Sequence, residues 1–177
     1  MSKGTRVNWM IVAIGAAIVL PLVAVLASGF NKDPHALPSM LEGRVAPPFA
    51  LHTLEGAPVD LPSLAGTPVI LNFWSTWCQP CRFEHPYLQE SARAFPDVRF
   101  FGILYGDEAE KARRYLRQQG SAYPTLDDPG GRVAIEYGVA GVPETFFIDR
   151  HGKILHKFSG PLPPDVIRAY VAELRAP

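Results

Sequence analysis

Val69-Ile70-Leu71-Asn72-Phe73-Trp74-Ser75-Thr76-Trp77-Cys78-Gln79-Pro80-Cys81 is the stretch on which the reading of the fold turns. Its first six residues make a short, nearly continuous apolar run of the kind buried on both faces in a parallel sheet. The run leads into Trp77-Cys78-Gln79-Pro80-Cys81, which holds both of the chain's 2 cysteines. A strand that passes into Cys-x-x-Cys sets the first sulfur at a helix N-terminus, where unpaired backbone N–H groups and the helix dipole stabilise a thiolate. Dithiol–disulfide exchange is the chemistry this placement favours. Cys78 is expected to be the exposed nucleophile and Cys81, one turn further in, the resolving thiol. Pro80 suits a first helical turn, where a missing N–H costs nothing.

Working outward, the pattern predicts a helix from Cys78 to about Phe95, bent at Pro86, and a second apolar strand over Val98 to Tyr105, which completes a βαβ unit. Asp107 is placed to cap a further helix that ends at Gly120. A short strand over Pro124 to Leu126 and a short helix over Gly131 to Tyr137 follow. Thr145 to Asp149 and Ile154 to Phe158 alternate around Arg150-His151-Gly152-Lys153 as a hairpin, and Asp165 to Leu174 is amphipathic. Upstream, Phe49 to Thr53 and Val59 to Leu61 flank Glu55-Gly56 as a smaller hairpin.

The chain has 177 residues, with 17 basic and 17 acidic side chains. That balance carries none of the basic footprint of a nucleic-acid binder. A secreted disulfide scaffold would spread several cysteines along the chain, whereas a single close pair reads as reactive. From Trp9 to Ala27 the residues are almost wholly apolar, and about 19 residues at ~1.5 Å each reach roughly 28 Å, close to a bilayer core. Lys3 and Arg6 precede this run, so the positive-inside rule keeps the N-terminus in the cytoplasm and exports the rest. A cleaved signal peptide ending at Val25-Leu26-Ala27 is the alternative, and it exports the domain equally. The expected organisation is a cytoplasmic tip and transmembrane anchor over 1–28, a linker over 29–42 and one exported domain over 43–177.

Three further features bear on chemistry. Cys81, Glu84, Leu88, Ala92 and Phe95 follow the spacing of one helix face, so Glu84 shares an apolar stripe. A carboxyl there would have a raised pKa and could exchange protons with a sulfur; the alternative is a surface glutamate paired with Arg82 or Gln89. Gly138-Val139-Ala140-Gly141-Val142-Pro143-Glu144-Thr145 reads as a tight turn entering a strand, with a cis peptide at Pro143 or a plain structural turn. The Cys-x-x-Cys could also be half of a zinc site completed by His151 and His156, although a hairpin turn already explains the residues between those histidines.

Phe73-Trp74-Ser75-Thr76-Trp77-Cys78-Gln79-Pro80-Cys81-Arg82-Phe83-Glu84-His85-Pro86 together with Gly138 to Phe146 resembles the CcmG/DsbE-type thiol:disulfide interchange proteins of cytochrome c maturation, TlpA-like members of the thioredoxin superfamily. The resemblance covers roughly residues 43 to 175. It implies an α/β thioredoxin-like fold, a central mixed sheet flanked by helices, with an N-terminal hairpin and an internal insertion between Asp107 and Tyr137, behind one transmembrane helix. It implies Cys78 and Cys81 as the catalytic pair and its redox-active disulfide in place of any cofactor or metal. Pro143 would be a cis-proline facing the dithiol, with the backbone of Val142 pairing with an incoming peptide. Glu84 and Glu144 would be acidic residues beside the site that tune it, along with Trp77 and Pro80 in the motif itself. The implied partners are apocytochrome c, through its CxxCH segment, or an assembly factor, and a membrane electron donor of the DsbD/CcdA type. The implied place is the inner membrane, with the catalytic domain periplasmic.

Rival readings use the same parts. An oxidising enzyme would need the opposite redox poise, and a carboxylate near the thiols argues against it because it disfavours the thiolate. A generic periplasmic thiol reductase would lack the specific partner. A copper-binding thioredoxin-like chaperone would hold Cu(I) through both thiolates and a histidine. Peroxidase chemistry lacks its expected Thr-x-x-Cys context, since Thr76 stands only two residues before Cys78.

Overall fold

The computed structural model describes residues 9–30 and 41–176. The chain divides into two units, the first containing the N-terminal helix and the second everything from Leu41 onward. In the first, Trp9–Phe30 form one helix, α1, with Pro21 inside it and Trp9, Ile14, Ile18 and Leu22 exposed. Among the described residues no helix is long and apolar enough to cross a membrane. Most of the expected linker, residues 31–40, and the tip at 1–8 lie outside the described residues.

In the second unit the order is β1 (Ala50–Thr53), β2 (Pro58–Asp60), β3 (Val69–Trp74), α2 (Gln79–Ala94), β4 (Arg99–Leu104), α3 (Ala109–Gln119), β5 (Thr125–Asp127), α4 (Arg132–Glu136), β6 (Glu144–Ile148), β7 (Ile154–Ser159) and α5 (Pro164–Leu174). The strands join one sheet in the order β2-β1-β5-β4-β3-β6-β7. β3 pairs with β4 in parallel and with β6 antiparallel, so the sheet is mixed, as expected.

Every residue of β3 is buried, and alternate residues serve opposite faces. Val69, Leu71 and Phe73 join Ile103, Tyr137, Phe146 and Ile148 on one face, under α4 and the segment around Ala46 and Phe49. Ile70 faces the other way, among Leu88 of α2, Phe147, and Ile167 and Val171 of α5. Trp74, at the strand's end, packs with Leu104, Ala112 and Leu116 of α3 and with both cysteines. The central position of the βαβ unit therefore carries the dithiol to the C-terminal edge of the sheet, where open α/β sheets place their sites.

α2 begins one residue later than expected and runs unbroken through Pro86 to Ala94. The cap expected of Asp107 is not made: α3 starts at Ala109, its N-cap is Glu108, and no side chain caps it. Asp107 is engaged elsewhere, as described below. Gly120 ends α3 with φ 92°, a conformation that favours glycine.

Gly102 shows how tightly this corner is built. A Cβ there would stand 2.7 Å from Trp74 Nε1 and 2.9 Å from Thr125 Oγ1, inside contact distance of a buried indole that has nowhere to go. Gly102→Ala is expected to lower stability by about 1–3 kcal/mol through overpacking, read as a lower denaturant midpoint at unchanged slope.

Candidate active site

Cys78 and Cys81 form a disulfide with Cα atoms 5.3 Å apart. Cys78 is the N-cap of α2, with extended backbone, and its side chain does what an N-cap oxygen ordinarily does. Cys81 N–H donates to Cys78 Sγ at 3.1 Å, so one of the helix's orphan donors points at this sulfur. Pro80 lies in the first turn, where no N–H is missed. The expected difference in exposure is absent: Cys78 and Cys81 are each 3% exposed. What distinguishes the two sulfurs is the hydrogen bond: among the described residues, Cys78 Sγ and not Cys81 Sγ receives a helix N–H.

The loop ahead of Cys78 is moulded by the segment that leaves β4. Tyr105 N–H donates to Trp74 O, and the buried Ser75 hydroxyl donates to Tyr105 O. Thr76 donates both its amide (2.7 Å) and its hydroxyl (2.6 Å) to Asp107 Oδ2, and Trp77 Nε1–H donates to Gly106 O. Burial pushes the Asp107 carboxyl up, but the Thr76 hydroxyl and amide, the Glu108 amide and Lys111 outweigh it and hold Asp107 below its usual range. Arg82 Nε donates to Thr76 O from the other side, and its guanidinium lies over the Tyr115 ring. Trp77 itself is 61% exposed, at the rim of a cleft of about 650 Å³ that Asp107, Asp127, Ile135 and Val139 help to line.

Glu84 does not pair with Arg82 or Gln89 on the surface. It is 2% exposed, on the buried stripe of α2. Asn72 Nδ2 donates to its Oε1 at 2.8 Å and Leu162 N–H to its Oε2 at 2.7 Å. Desolvation dominates these two donors and pushes the carboxyl up to about 7. Asn72, which also donates to Thr145 Oγ1, was overlooked in the sequence; a lone amide inside a fully buried strand was its signal. His85, next to Glu84, is held below its usual range by burial against the counter-pull of its bond to Gly120 O, and it stacks on Trp74.

The second half of the site is the turn before β6. The Val142–Pro143 peptide is cis. Val142 packs against the cluster that contains both cysteines. Among the described residues its N–H and C=O have no backbone partner, while Pro143 O accepts from Gly160 N–H at 2.8 Å. Glu144 is buried, but its partners are Lys157 Nζ at 2.8 Å and, more weakly, Ala140 N–H and Ser159 Oγ, none of them in the dithiol loop. Its Oε2 makes no well-aligned hydrogen bond, and the Lys157 ammonium is what compensates it.

The histidines weighed for zinc are not brought to the cysteines. His151 sits in the β6–β7 turn, and His156 stacks on Tyr170 with Nε2 2.6 Å from Glu173. Among the described residues no cluster of three His, Cys, Asp or Glu is placed to hold a metal ion.

Comparison with known proteins agrees with this geometry. The model of the AhpC/TSA family matches residues 43–157. Over 149 residues the chain is 39% identical to the thiol:disulfide interchange protein HelX of Rhodobacter capsulatus, covering 82% of this chain and 84% of that one. It is 42% identical over 135 residues to a DsbE homolog of Paracoccus denitrificans, covering 75% and 74%. A crystal structure described as a putative DsbE from Chlorobium tepidum superposes with a TM-score of 0.70 at 30% identity, covering 75% of this chain and 96% of that chain. The chain belongs to the AhpC/TSA family and, within it, to the DsbE-type thiol:disulfide interchange proteins, which are thiol–disulfide oxidoreductases.

Burial of Glu84 has a consequence for stability with a definite sign. Its folded pKa, about 7, lies above the ordinary value of 4.5, so the folded chain keeps a proton that the unfolded chain releases. Stability from this group is full below pH 4.5 and is lost as pH rises through 7, by roughly 3 kcal/mol at ~1.4 kcal/mol per unit. Glu84→Gln should flatten that fall, measured as unfolding free energy of both proteins from about pH 4 to about pH 8.

Proposed function

We propose that this DsbE-type interchange protein acts as a specific periplasmic reductant in cytochrome c biogenesis, opening the disulfide of an apocytochrome c CxxCH segment or of an assembly factor that carries those thiols. The reduced Cys78 thiolate attacks one sulfur of the substrate disulfide, forming a mixed disulfide and releasing the other substrate sulfur as a thiolate that takes up a proton. Cys81, deprotonated, then attacks Cys78 Sγ. The substrate leaves with both its thiols reduced, and the Cys78–Cys81 disulfide of this structure remains, two electrons poorer.

The observation that carries the reductant assignment is Glu84, a carboxyl buried in α2 one turn from Cys81 with its pKa near 7. Such a group can take and return a proton as the sulfurs change state, and its negative form disfavours a neighbouring thiolate. A less stable thiolate makes the dithiol more reducing. Val142, whose N–H and C=O have no backbone partner among the described residues and whose side chain packs beside the dithiol, suits β-type pairing with an extended substrate peptide. The cleft next to Trp77 has room for side chains flanking the substrate's cysteines.

The oxidised pair would be returned to the dithiol by a membrane electron donor of the DsbD/CcdA type. In this reading α1 anchors the catalytic domain to the inner membrane with the N-terminus in the cytoplasm. Its support is a 22-residue helix that carries no charged side chain, preceded by Lys3 and Arg6.

Cys81→Ser leaves Cys78 mixed disulfides unresolved, so partners stay attached. Affinity capture of this variant from cells making c-type cytochromes is expected to recover an apocytochrome c or an assembly factor, released by reductant. Recovery of a broad set of exported proteins with neither among them would identify a generic periplasmic reductase instead.

A further inference from the structure

Lys157 was not singled out by the sequence, where it stands among the alternating residues of an edge strand. Its side chain turns inward from β7 on the same face as its register partner Phe146, over whose ring the ammonium lies 5.4 Å from the centroid. Only 12% of that side chain is exposed. The ammonium has two oxygen partners: Glu144 Oε2 at 2.8 Å and the main-chain carbonyl of Gly138 at 3.3 Å. Glu144 in turn accepts from the Ala140 amide through Oε1. One ion pair thus grips the turn before Pro143 at a carbonyl, at an amide and, through Glu144 itself, at the residue just after the proline. Gly160 N–H, three residues past Lys157 in the chain, holds Pro143 O as well.

We propose that Lys157 is a positioning residue for substrate: its ammonium, gripping Gly138 O and the Glu144 carboxylate together, fixes the backbone of Val142 in register for an extended disulfide-bearing polypeptide. The proposal rests on the reading of Val142 as the peptide-pairing position. It also assigns Glu144 a different task from the one expected of it. A carboxylate compensated at 2.8 Å acts on the dithiol chiefly by holding the turn, and only weakly as a free charge on Cys78. The geometry required of the partner is demanding, because a backbone that drifts by an ångström loses aligned N–H and C=O groups that a peptide would pair with.

Steady-state reduction of a disulfide-bonded peptide by the full chain tests this. Lys157→Met is expected to raise KM about fivefold or more with kcat changed less than about twofold, while Lys157→Arg, which keeps the cation, returns KM to within about twofold of the parent. Lys157→Met leaves Glu144 buried alone and can destabilise the fold, so Glu144→Gln/Lys157→Met, which buries no lone charge, is the decisive variant. Its KM should stay raised. A parental KM in the double variant, or a fall in kcat at constant KM, overturns the role of Lys157. Val142→Pro, which deletes the N–H, separates this from the underlying reading: a raised KM there with a parental KM in the double variant overturns Lys157 alone, whereas an unchanged KM in Val142→Pro overturns peptide pairing itself.

Discussion

A sulfur atom caps a helix here, and the rest of the molecule is arranged around that contact. Cys78 Sγ receives the Cys81 N–H at the start of α2, in the position an Asp or Ser oxygen would take in an ordinary helix. For the contact to hold, the strand before it must end at a fixed place and the loop between must keep one shape. β3, buried on both faces, meets the first need. The segment Tyr105–Asp107 meets the second, because Trp74, Ser75, Thr76 and Trp77 each have a bond to it. The dithiol is therefore set by β4 and its exit as much as by its own motif.

Charge around this contact is distributed in two ways. Glu84 is buried without a cation, held by the Asn72 amide and the Leu162 N–H, and these donors are too weak to offset desolvation. Glu144 is buried with a cation, Lys157, on the opposite side of the sheet from the α2-facing residues of β3. The two carboxyls looked alike in the sequence, yet Glu84 is held by neutral donors alone and Glu144 by an ammonium. The loop Gly160–Leu162 touches both arrangements, through Pro143 O and through Glu84 Oε2.

Much of this was legible beforehand, and for reasons that can be named. A run with no polar face except Asn72, followed by Cys-x-x-Cys, has few ways to fold other than strand then helix, and β3 and α2 lie where the periodicity placed them. The stripe from Cys81 to Phe95 leaves Glu84 open between burial and a surface pairing with Arg82 or Gln89, and the structure buries it. Asp107 was misread because a local rule, acid before helix, was applied to a residue whose partner lies 31 positions away in Thr76. The exposure of Cys78 was misjudged because helix position fixes which N–H a sulfur meets and not how deeply the neighbouring Trp74, Leu104 and Val142 cover it. Lys157 was invisible for a similar reason: alternation in an edge strand shows which face a side chain takes but not that a carboxylate waits there.

The proposed reductant role requires this sulfur pair to give electrons away, with a protonatable carboxyl one turn along α2 keeping the thiolate from becoming too stable. Equilibrating Cys78 and Cys81 against graded ratios of reduced and oxidised glutathione measures the poise directly. The expected potential is more reducing than about −180 mV, the disulfide isomerase range, and shifts toward oxidising values in Glu84→Gln. A value near the about −120 mV of a strong oxidant such as DsbA, unmoved by Glu84→Gln, would contradict it.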